Sequence, residues 1–356
     1  MKNKEKVLIG LSGGVDSSVA AYILKESGYE VIGVTMNLFQ NYSTQNSNAM
    51  IRDAKNVAEK LGIEFIEFDL NESFKSKVID YFKKEYLKGR TPNPCVVCNK
   101  FIKFGDLLEK ADRMNIKYIS TGHYAKIQMN ERGFYNLKKP KDKTKDQTYF
   151  LYGLKQNQLS RVIMPLGNYD KKEVREIAKQ ADLFVANKKD SQEICFIEDN
   201  DYVKFIIENS STKIIQGDFV DLQGNVLGIH KGIIYYTIGQ RKGLGITFGK
   251  PKYVIEIDYI NNRIVLGDNE DLFQHYLIAE NINLITDNKI IDNRNVEIKI
   301  RNSSKLSKAK LTLIENNKAK IIFEVPQRAI TPGQSAVFYD DDMLLGGGVI
   351  TKVNTH

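Results

Sequence analysis

The first part of the chain alternates short β-branched runs with amphipathic segments. Four runs have the composition of strands, at residues 7–11, 31–36, 64–69 and 118–121. Between them, residues 17–27 and 53–61 place apolar side chains at helical spacing. Strands that alternate with helices are typical of a parallel sheet covered by helices on both faces. The sequence therefore predicts an α/β domain, with a polar loop at 40–48.

The second half of the chain has a different pattern. Helical spacing continues through 170–181 and 201–208, and short runs separated by Gly and Asn turns follow. These runs predict small β-barrels, and they lie at 253–258, 263–266, 296–300, 309–314 and 319–325. We place a domain boundary near residue 208 and a second division at the turn-like region 267–271.

Composition narrows the class of protein. Hydrophobic residues make up 42% and charged residues 27%, and no apolar run approaches the roughly 18 residues of a membrane span. The basic N-terminal residues lead into too short an apolar stretch for a signal peptide, so we expect a cytoplasmic protein without a membrane partner. The net charge of +8 suits a polyanionic partner such as nucleic acid. Three cysteines without an export signal make a disulfide framework improbable.

The strongest local motif lies between the first strand and the first helix. Two adjacent glycines, Gly13 and Gly14, allow unusual backbone angles and a close approach to a ligand. The free amides at the start of the following helix favour an anion. The motif therefore predicts a phosphate-binding loop, formed by Gly10, Leu11, Ser12, Gly13, Gly14, Val15, Asp16, Ser17 and Ser18.

This loop is not of the Walker A type. A Walker A loop has Lys before its final hydroxyl residue, and Asp16 stands at that place here. The motif resembles the pyrophosphate loop (PP-loop) of the N-type ATP pyrophosphatases, which split ATP between its α and β phosphates and adenylate a substrate oxygen. The resemblance implies that Ser12 and Ser17 bind pyrophosphate and that Asp16 lies near Mg²⁺. The alternative is an ordinary glycine-rich turn capped by Ser or Asp.

The cysteines lie in two separate motifs. Two prolines stiffen the backbone before a helix that we expect to begin near Cys98, where the helix N-terminus, Arg90 and Lys100 would lower the thiol pKa. Cys98 is therefore a candidate nucleophile. Cys195 also follows basic residues, but a lone cysteine of this kind is more often a small apolar filler.

Long motifs in order along the chain resemble the bacterial tRNA-specific 2-thiouridylases. Besides the phosphate loop, they are 89–103, 120–124, 145–147, the segment around Cys195, 237–245 and 331–336. The resemblance implies three domains. They would be an adenine nucleotide α-hydrolase-like catalytic PP-loop domain at 1–208, a small central domain at 209–270 and a C-terminal, tRNA-binding β-barrel domain at 271–356.

The resemblance also implies roles for individual residues. ATP would be contacted by 10–17, Met36 and Gly122. The tRNA, of the Lys, Glu or Gln acceptor type, would be contacted by Asn93, Pro94, Cys95, His123, Lys145, Asp146, Gln147, Arg301, Asn302 and Gln334.

In the implied reaction, the C2 oxygen of the wobble uridine attacks the α phosphate of ATP, giving an adenylated base and pyrophosphate. A persulfide on Cys195 then supplies sulfur, and AMP leaves. Cys98 helps to release the sulfur and ends in a disulfide with Cys195. The sulfur would come from a cysteine desulfurase or a sulfur-relay protein.

Two positions depart from the family pattern. Many members have Asp at the position of Cys95, where the carboxylate has an acid–base role near the target base. Cys95, Cys98 and Cys195 together could instead ligate a [4Fe-4S] cluster with one open iron, so the persulfide and cluster routes both stay open. The segment from Arg301 to Lys305 lacks the aromatic residue that members often have there, although phosphate contacts remain available.

Two further classes of function compete with this one. Another ATP pyrophosphatase, such as an amide-forming or nucleotide synthetase, would use the same loop but would gain nothing from two cysteine motifs. A silent tRNA-binding protein of the same fold would retain tRNA without cleaving ATP, and the intact loop argues against it.

Overall fold

The computed structural model describes residues 4–38, 44–188, 194–197, 200–246, 249–286 and 292–353. The chain forms two compact units. The first unit contains the chain up to Val78, Cys95–Asn200 and Asp342–Leu344, and the second contains Ile79–Pro94, Asp201–Asp341 and the chain from Leu345 onward.

The α-helices of the described residues are mostly short. They are α1 Val15–Glu26, α2 Thr44–Leu61, α3 Asn71–Phe74, α4 Asp80–Leu87, α5 Pro94–Cys98, α6 Leu107–Arg113, α7 Gln156–Leu159, α8 Lys171–Gln180 and α9 Tyr202–Glu208. Two π-helical segments, Lys75–Ile79 and Asn99–Asp106, continue α3 and α5 respectively.

Strands occur in both units and dominate the second. They are β1 Lys6–Gly10, β2 Glu30–Asn37, β3 Glu64–Asp69, β4 Tyr118–Ser120, β5 Lys126–Met129, β6 Tyr135–Lys138, β7 Val162–Ile163, β8 Gly217–Val220, β9 Val226–His230, β10 Tyr253–Asp258, β11 Arg263–Gly267, β12 Phe273–Leu284, β13 Arg294–Lys299, β14 Ser307–Ile314, β15 Lys318–Arg328, β16 Ser335–Asp340 and β17 Met343–Val353.

The first unit is built on a parallel five-stranded sheet in the order β3-β2-β1-β4-β7. Its central strand β1 is buried on both faces, and Leu8 pairs with Ile32 of β2 and Ile119 of β4. A strand with both faces covered needs a continuous apolar run, which β1 has. The predicted α/β domain with a parallel sheet is confirmed. The carboxyl ends of these strands form the edge from which the phosphate loop leaves β1.

Helix α2 begins earlier than the sequence pattern indicates. The loop expected at 40–48 is wrong over 44–48, which is helical, and 40–43 lie outside the described residues. Further along α2, the apolar side chains Ala54, Val57, Ala58 and Leu61 are buried against the sheet core. Packing of this face stabilises the whole helix, and polar residues at its start have only a weak preference against helix.

The second unit contains two antiparallel-rich sheets. Strands β12-β15-β14-β13-β16-β17 follow one another, and a β12–β17 pairing closes them into a six-stranded barrel. Along β15, buried Ala319, Ile321 and Phe323 alternate with exposed residues, as a barrel wall requires. A four-stranded sheet in the order β10-β11-β8-β9 precedes the barrel in sequence. The expected β-barrel architecture of the second half is confirmed.

Within the part of the chain that the structure describes, no helix has the length and apolar character needed to cross a membrane.

Candidate functional site

The phosphate loop connects β1 to α1 and depends on its glycines. Gly13 has a positive φ of 65°, and a Cβ there would lie 2.8 Å from Cβ of Asp53. Gly14 is the N-cap of α1 and provides no side-chain hydrogen bond to cap the helix. Because Gly14 provides no side-chain cap, an anion can accept hydrogen bonds from the amides at this N-terminus.

Two serines close the loop on itself. The backbone amide of Ser12 donates to Oγ of Ser17 at 3.1 Å, and the two hydroxyl oxygens are also 3.1 Å apart. Ser17 Oγ lies 3.2 Å from the carbonyl oxygen of Gly14, to which it donates. Hydroxyl groups at these positions can rotate toward a bound phosphate without moving the backbone.

The remaining predicted nucleotide contacts lie around the same loop. Leu11 and Val15 are buried in the hydrophobic core of the first unit and anchor the loop to it. Gly10 faces Met36, since a Cβ on Gly10 would lie 3.5 Å from Cε of Met36. Gly122 follows β4 and packs against the backbone of α1 at Ser17. The structure therefore brings 10–17, Met36 and Gly122 together at one end of the sheet.

The carboxylate of Asp16 is held by two residues that sequence reasoning did not select. Tyr124 donates its hydroxyl to Oδ1 at 2.7 Å. Lys171 Nζ lies 2.7 Å from Oδ1 and 2.9 Å from Oδ2. Tyr124 was visible as part of a family motif, whereas Lys171 had no local signal beyond its place at the start of a predicted helix. Asp170 caps that helix by accepting from the amides of Lys172 and Glu173.

Tyr124 also joins the loop to the segment 145–147. Gln147 Oε1 accepts from the amide of Tyr124 at 2.8 Å, and the Gln147 amide donates to the Tyr124 carbonyl at 3.3 Å. Asp146 accepts from the amide and hydroxyl of Thr148, which orders the next turn. Lys145 ends a 3₁₀ turn in the same segment. Gln147 therefore lies one residue away from the phosphate loop, and Lys145 and Asp146 precede it in the same segment.

A second lysine, Lys188, also binds the phosphate loop. Lys188 donates to the carbonyl oxygen of Gly13 at 2.9 Å and to Asp53 Oδ2 at 2.8 Å. Arg175 donates to the carbonyl oxygens of Ala186 and Lys188 and fixes the backbone there. Lys188 lies in the basic run before Cys195, which sequence reasoning considered only for its effect on the thiol.

The three cysteines are free thiols in the first unit and lie close enough to influence one another. Cys98 is buried, whereas Cys95 and Cys195 are exposed. The pKa of Cys98 is raised to about 11, mainly by burial and to a smaller extent by the neighbouring Cys95 and Asp106. Protein atoms around Cys195 displace solvating water, so desolvation raises its pKa to about 12, and Cys98 and Cys95 act in the same direction. Neighbouring protein atoms also desolvate the Cys95 thiol, although its side chain reaches solvent, and this desolvation raises the pKa of Cys95.

The predicted lowering of the Cys98 pKa is therefore wrong. Helix α5 ends at Cys98 and begins at Pro94, so the positive helix end does not face this thiol. The cation that acts on Cys98 is Lys103, and its favourable effect on the thiolate is smaller than the cost of desolvation.

Lys103 also acts on Cys95, Cys195 and His123. The His123 ring is buried, and its Nδ1 lies 2.7 Å from Oγ1 of Thr121. Burial has the larger effect on the pKa of His123, and the positive charge of Lys103 acts in the same direction. Together they hold this pKa well below its ordinary value, which keeps the imidazole neutral. A neutral imidazole can donate one hydrogen bond and accept another but adds no charge to the site.

A [4Fe-4S] cluster needs three thiolates gathered around one metal centre. Among the residues that the structure describes, no three His, Cys, Asp or Glu side chains are arranged to hold a metal ion. The cysteines as placed here do not fit a cluster, although their charges influence one another.

The other predicted tRNA contacts belong to the second unit, except Cys95. Asn93 is half-buried and Pro94, the first residue of α5, is buried. Gln334 donates to the carbonyl oxygen of Thr91 at 2.8 Å. The Thr91 amide in turn donates to Pro332 at 2.9 Å. The segment before α5 is thus tied to the turn that precedes β16.

Arg301 has an internal role in the barrel. Its guanidinium donates to the carbonyl oxygen of Ala329 at 2.6 Å and to Oγ1 of Thr331 at 2.5 Å. Asn302 is exposed, and its carbonyl oxygen accepts from Lys299 Nζ at 3.4 Å. The phosphate contact predicted for Arg301 would compete with these hydrogen bonds.

Three family models match the chain in succession. The tRNA methyl transferase HUP domain matches residues 5–199, the tRNA methyl transferase PRC-barrel domain matches 203–268, and the aminomethyltransferase beta-barrel domain matches 274–350. With the parallel sheet and the loop after β1, they define the class of protein as a HUP-type α/β domain followed by two barrel domains.

Relatives match over nearly the whole length. The tRNA-specific 2-thiouridylase MnmA of Clostridioides difficile strain 630 is 54% identical over 98% of this chain and 98% of its own length. MnmA 2 of Clostridium botulinum strain Okra is 55% identical over 98% of this chain and 100% of its own length. MnmA 2 of Caldanaerobacter subterraneus subsp. tengcongensis is 52% identical over 99% of this chain and 99% of its own length. This chain belongs to the tRNA-specific 2-thiouridylase family, and the resemblance found in its motifs is confirmed.

Proposed function

We propose that this protein is an ATP-dependent tRNA-uridine 2-sulfurtransferase. It adenylates the C2 oxygen of the wobble uridine and replaces that oxygen with sulfur, and it releases pyrophosphate and AMP. The observation that carries the proposal is that one compact unit contains both an anion-binding loop and three free thiols that affect one another's ionisation. An amide-forming or nucleotide synthetase would use the same loop but would gain nothing from the thiols.

In the first half of the reaction, the loop binds the phosphates of ATP. Amides at the start of α1 and the hydroxyls of Ser12 and Ser17 donate to phosphate oxygens. The uridine O2 attacks the α phosphorus, the bond to the β-phosphate oxygen breaks, and pyrophosphate leaves. Bound Mg²⁺ would be held by Asp16 and would neutralise phosphate charge.

In the second half, Cys195 carries the incoming sulfur as a persulfide. Its terminal sulfur attacks C2 of the adenylated base, the C2–O bond breaks, and AMP leaves. Cys98 then loses its proton and attacks the Cys195 sulfur. The S–S bond to the base breaks, 2-thiouridine is released and a Cys98–Cys195 disulfide forms. A dithiol reductant supplies two electrons and two protons to restore both thiols.

The partners follow from the same proposal. The substrate is tRNA of the Lys, Glu or Gln acceptor type, which the net charge of +8 suits. A cysteine desulfurase or a sulfur-relay protein loads Cys195 in the cytoplasm. Around the target base we assign tRNA contacts to Asn93, Pro94, Cys95 and His123. Further contacts fall on Lys145, Asp146, Gln147, Asn302 and Gln334, whereas the guanidinium of Arg301 is engaged within the barrel.

The test is a thiolation assay with ATP, unmodified wobble-uridine tRNA and a persulfide donor, read as 2-thiouridine by mass spectrometry and as released AMP. Cys195→Ser should abolish thiolation and leave tRNA binding intact, and Asp16→Ala should remove ATP cleavage. Glu26→Gln, an exposed change at the other end of α1, is the matched control and should retain full activity.

Full thiolation by Cys195→Ser would refute the role of that cysteine. If the unaltered protein bound tRNA without cleaving ATP or incorporating sulfur from any donor, the silent tRNA-binding function would replace the proposal.

A further inference from the structure

The phosphate loop has no cation of its own. Its residues 10–18 contain one charged side chain, the carboxylate of Asp16. ATP carries several negative charges, and helix amides alone provide only about half a positive charge at an N-terminus. A loop that contains a carboxylate therefore needs a positive side chain from another part of the fold to bind a triphosphate tightly.

Lys171 places a positive charge at this loop from 155 residues further along the chain. Its Nζ reaches both carboxylate oxygens of Asp16, the second residue of α1, at 2.7 and 2.9 Å. The ammonium therefore lies beside the first turn of α1, whose N-cap Gly14 makes no side-chain hydrogen bond. The backbone of Lys171 is fixed, because Lys171 is the first residue of α8 and follows the N-cap residue Asp170.

Two further contacts restrict where this ammonium can go. Nζ lies 5.9 Å from the centre of the Tyr124 ring, and the Tyr124 hydroxyl donates to the same Asp16 oxygen. The Lys171 side chain is 13% exposed and the Asp16 side chain 32% exposed. The pair is thus enclosed on the side of Lys171 and open to solvent on the side of Asp16. An incoming anion can reach the pair from the side of Asp16.

We propose that Lys171 is a phosphate-binding residue that supplies the cation missing from the loop sequence. Without nucleotide, its ammonium is neutralised by Asp16. When ATP enters, the ammonium donates to oxygens of the β and γ phosphates, and Asp16 is released from it. This inference rests on the proposed function, since it assumes that ATP is the ligand of the loop.

The test compares Lys171→Met, which removes the charge with little change in length, with Lys171→Arg and with Lys172→Met. Lys172 is the next residue of α8 and is exposed, so its variant is the matched control. Calorimetry with α,β-methylene-ATP, inorganic pyrophosphate and AMP, each with Mg²⁺, gives three affinities. Pyrophosphate and the triphosphate analogue should bind Lys171→Met at least about tenfold more weakly, as expected for loss of a charge-assisted hydrogen bond.

AMP lacks the β and γ phosphates, so its affinity should stay within about twofold in Lys171→Met, which also shows that the site is folded. Lys171→Arg should recover part of the pyrophosphate affinity, and Lys172→Met should match the unaltered protein. Equal binding of pyrophosphate by Lys171→Met and the unaltered protein would overturn the inference. An equal loss of AMP and pyrophosphate would also overturn it, because the lysine would then only shape the site.

Failure of the proposed function has a different signature. In that case the unaltered protein binds neither the triphosphate analogue nor pyrophosphate, and the lysine assignment fails with it. If the unaltered protein binds both and Lys171→Met binds both equally well, the inference alone is wrong.

Discussion

A Cβ added to Gly122 would lie 2.6 Å from the backbone nitrogen of Ser17. Real Cβ atoms do not approach backbone that closely, so the second residue after β4 must be glycine for the phosphate loop to keep its position. Gly122→Ala should therefore push α1 away from β4. We expect ATP affinity to fall at least about tenfold and the free energy of unfolding to fall by about 1–3 kcal/mol, as for overpacking. Calorimetry and denaturant unfolding measure the two effects.

Gly249→Ala is the control for this change. Among the described residues, no heavy atom beyond Gly249 and its chain neighbours lies within 4 Å of the Cβ position at Gly249, and its φ is outside the left-handed region. Wild-type ATP binding by Gly122→Ala would show that the contact with Ser17 can relax at little cost.

The thiols should react slowly with alkylating reagents at neutral pH. Only the thiolate reacts with iodoacetamide, and desolvation raises the pKa of Cys98 to about 11 and of Cys195 to about 12. The labelling rate of each cysteine should therefore rise about tenfold per pH unit from pH 7 to beyond 9. Site-resolved mass spectrometry measures it. A plateau near pH 8.5, as for an ordinary thiol, would contradict the raised pKa values.

The raised pKa values of the thiols also determine how the stability of the fold changes with pH. The folded pKa lies above the unfolded value of 9.0, so the folded chain favours the neutral thiol. This contribution to stability is complete below about pH 9 and is lost as the pH rises through the folded pKa of the thiols. Urea unfolding at pH 8 and pH 10 should show a lower unfolding free energy at the higher pH. Cys98→Ser should reduce the difference.

Cys95→Asp separates the two sulfur routes. The structure gathers no metal-binding group at the three cysteines among its described residues, so we expect the variant to retain thiolation with a persulfide donor. Activity and iron content are measured after anaerobic purification. Loss of both iron and activity in Cys95→Asp, with both present in the unaltered protein, would establish the cluster route.

Arg301→Gln tests whether this arginine serves the barrel or the tRNA. Removing its hydrogen bonds to Ala329 and Thr331 should lower the free energy of unfolding by about 2–3 kcal/mol. The salt dependence of tRNA binding should stay unchanged, because the guanidinium is already engaged. Lys305→Gln, at an exposed position, is the comparison. A reduced salt slope with unchanged stability would support the phosphate contact that the family resemblance implies.

Particular residues show how far sequence reasoning reached. The strands at 64–69 and 253–258 were predicted with their observed bounds, since β-branched and aromatic residues between turns favour strands. The helical start of 44–48 was missed because its residues are polar and the helix depends on packing further along. The thiol pKa was predicted in the wrong direction, since sequence shows neighbouring charges but does not show burial.

The sequence by itself determined the alternation of strands and helices, the place of the phosphate loop, and the family. All three are visible in the local spacing of residue types along the chain. The phosphate loop also depends on glycines, because other residues adopt such backbone angles only at a cost. Only the tertiary structure decided that Lys171 meets Asp16 from 155 residues away, and that the cysteine motifs share one environment. Those relationships depend on which strands become neighbours in the sheet and on how much water the packed chain displaces, and both are set by the folded chain as a whole.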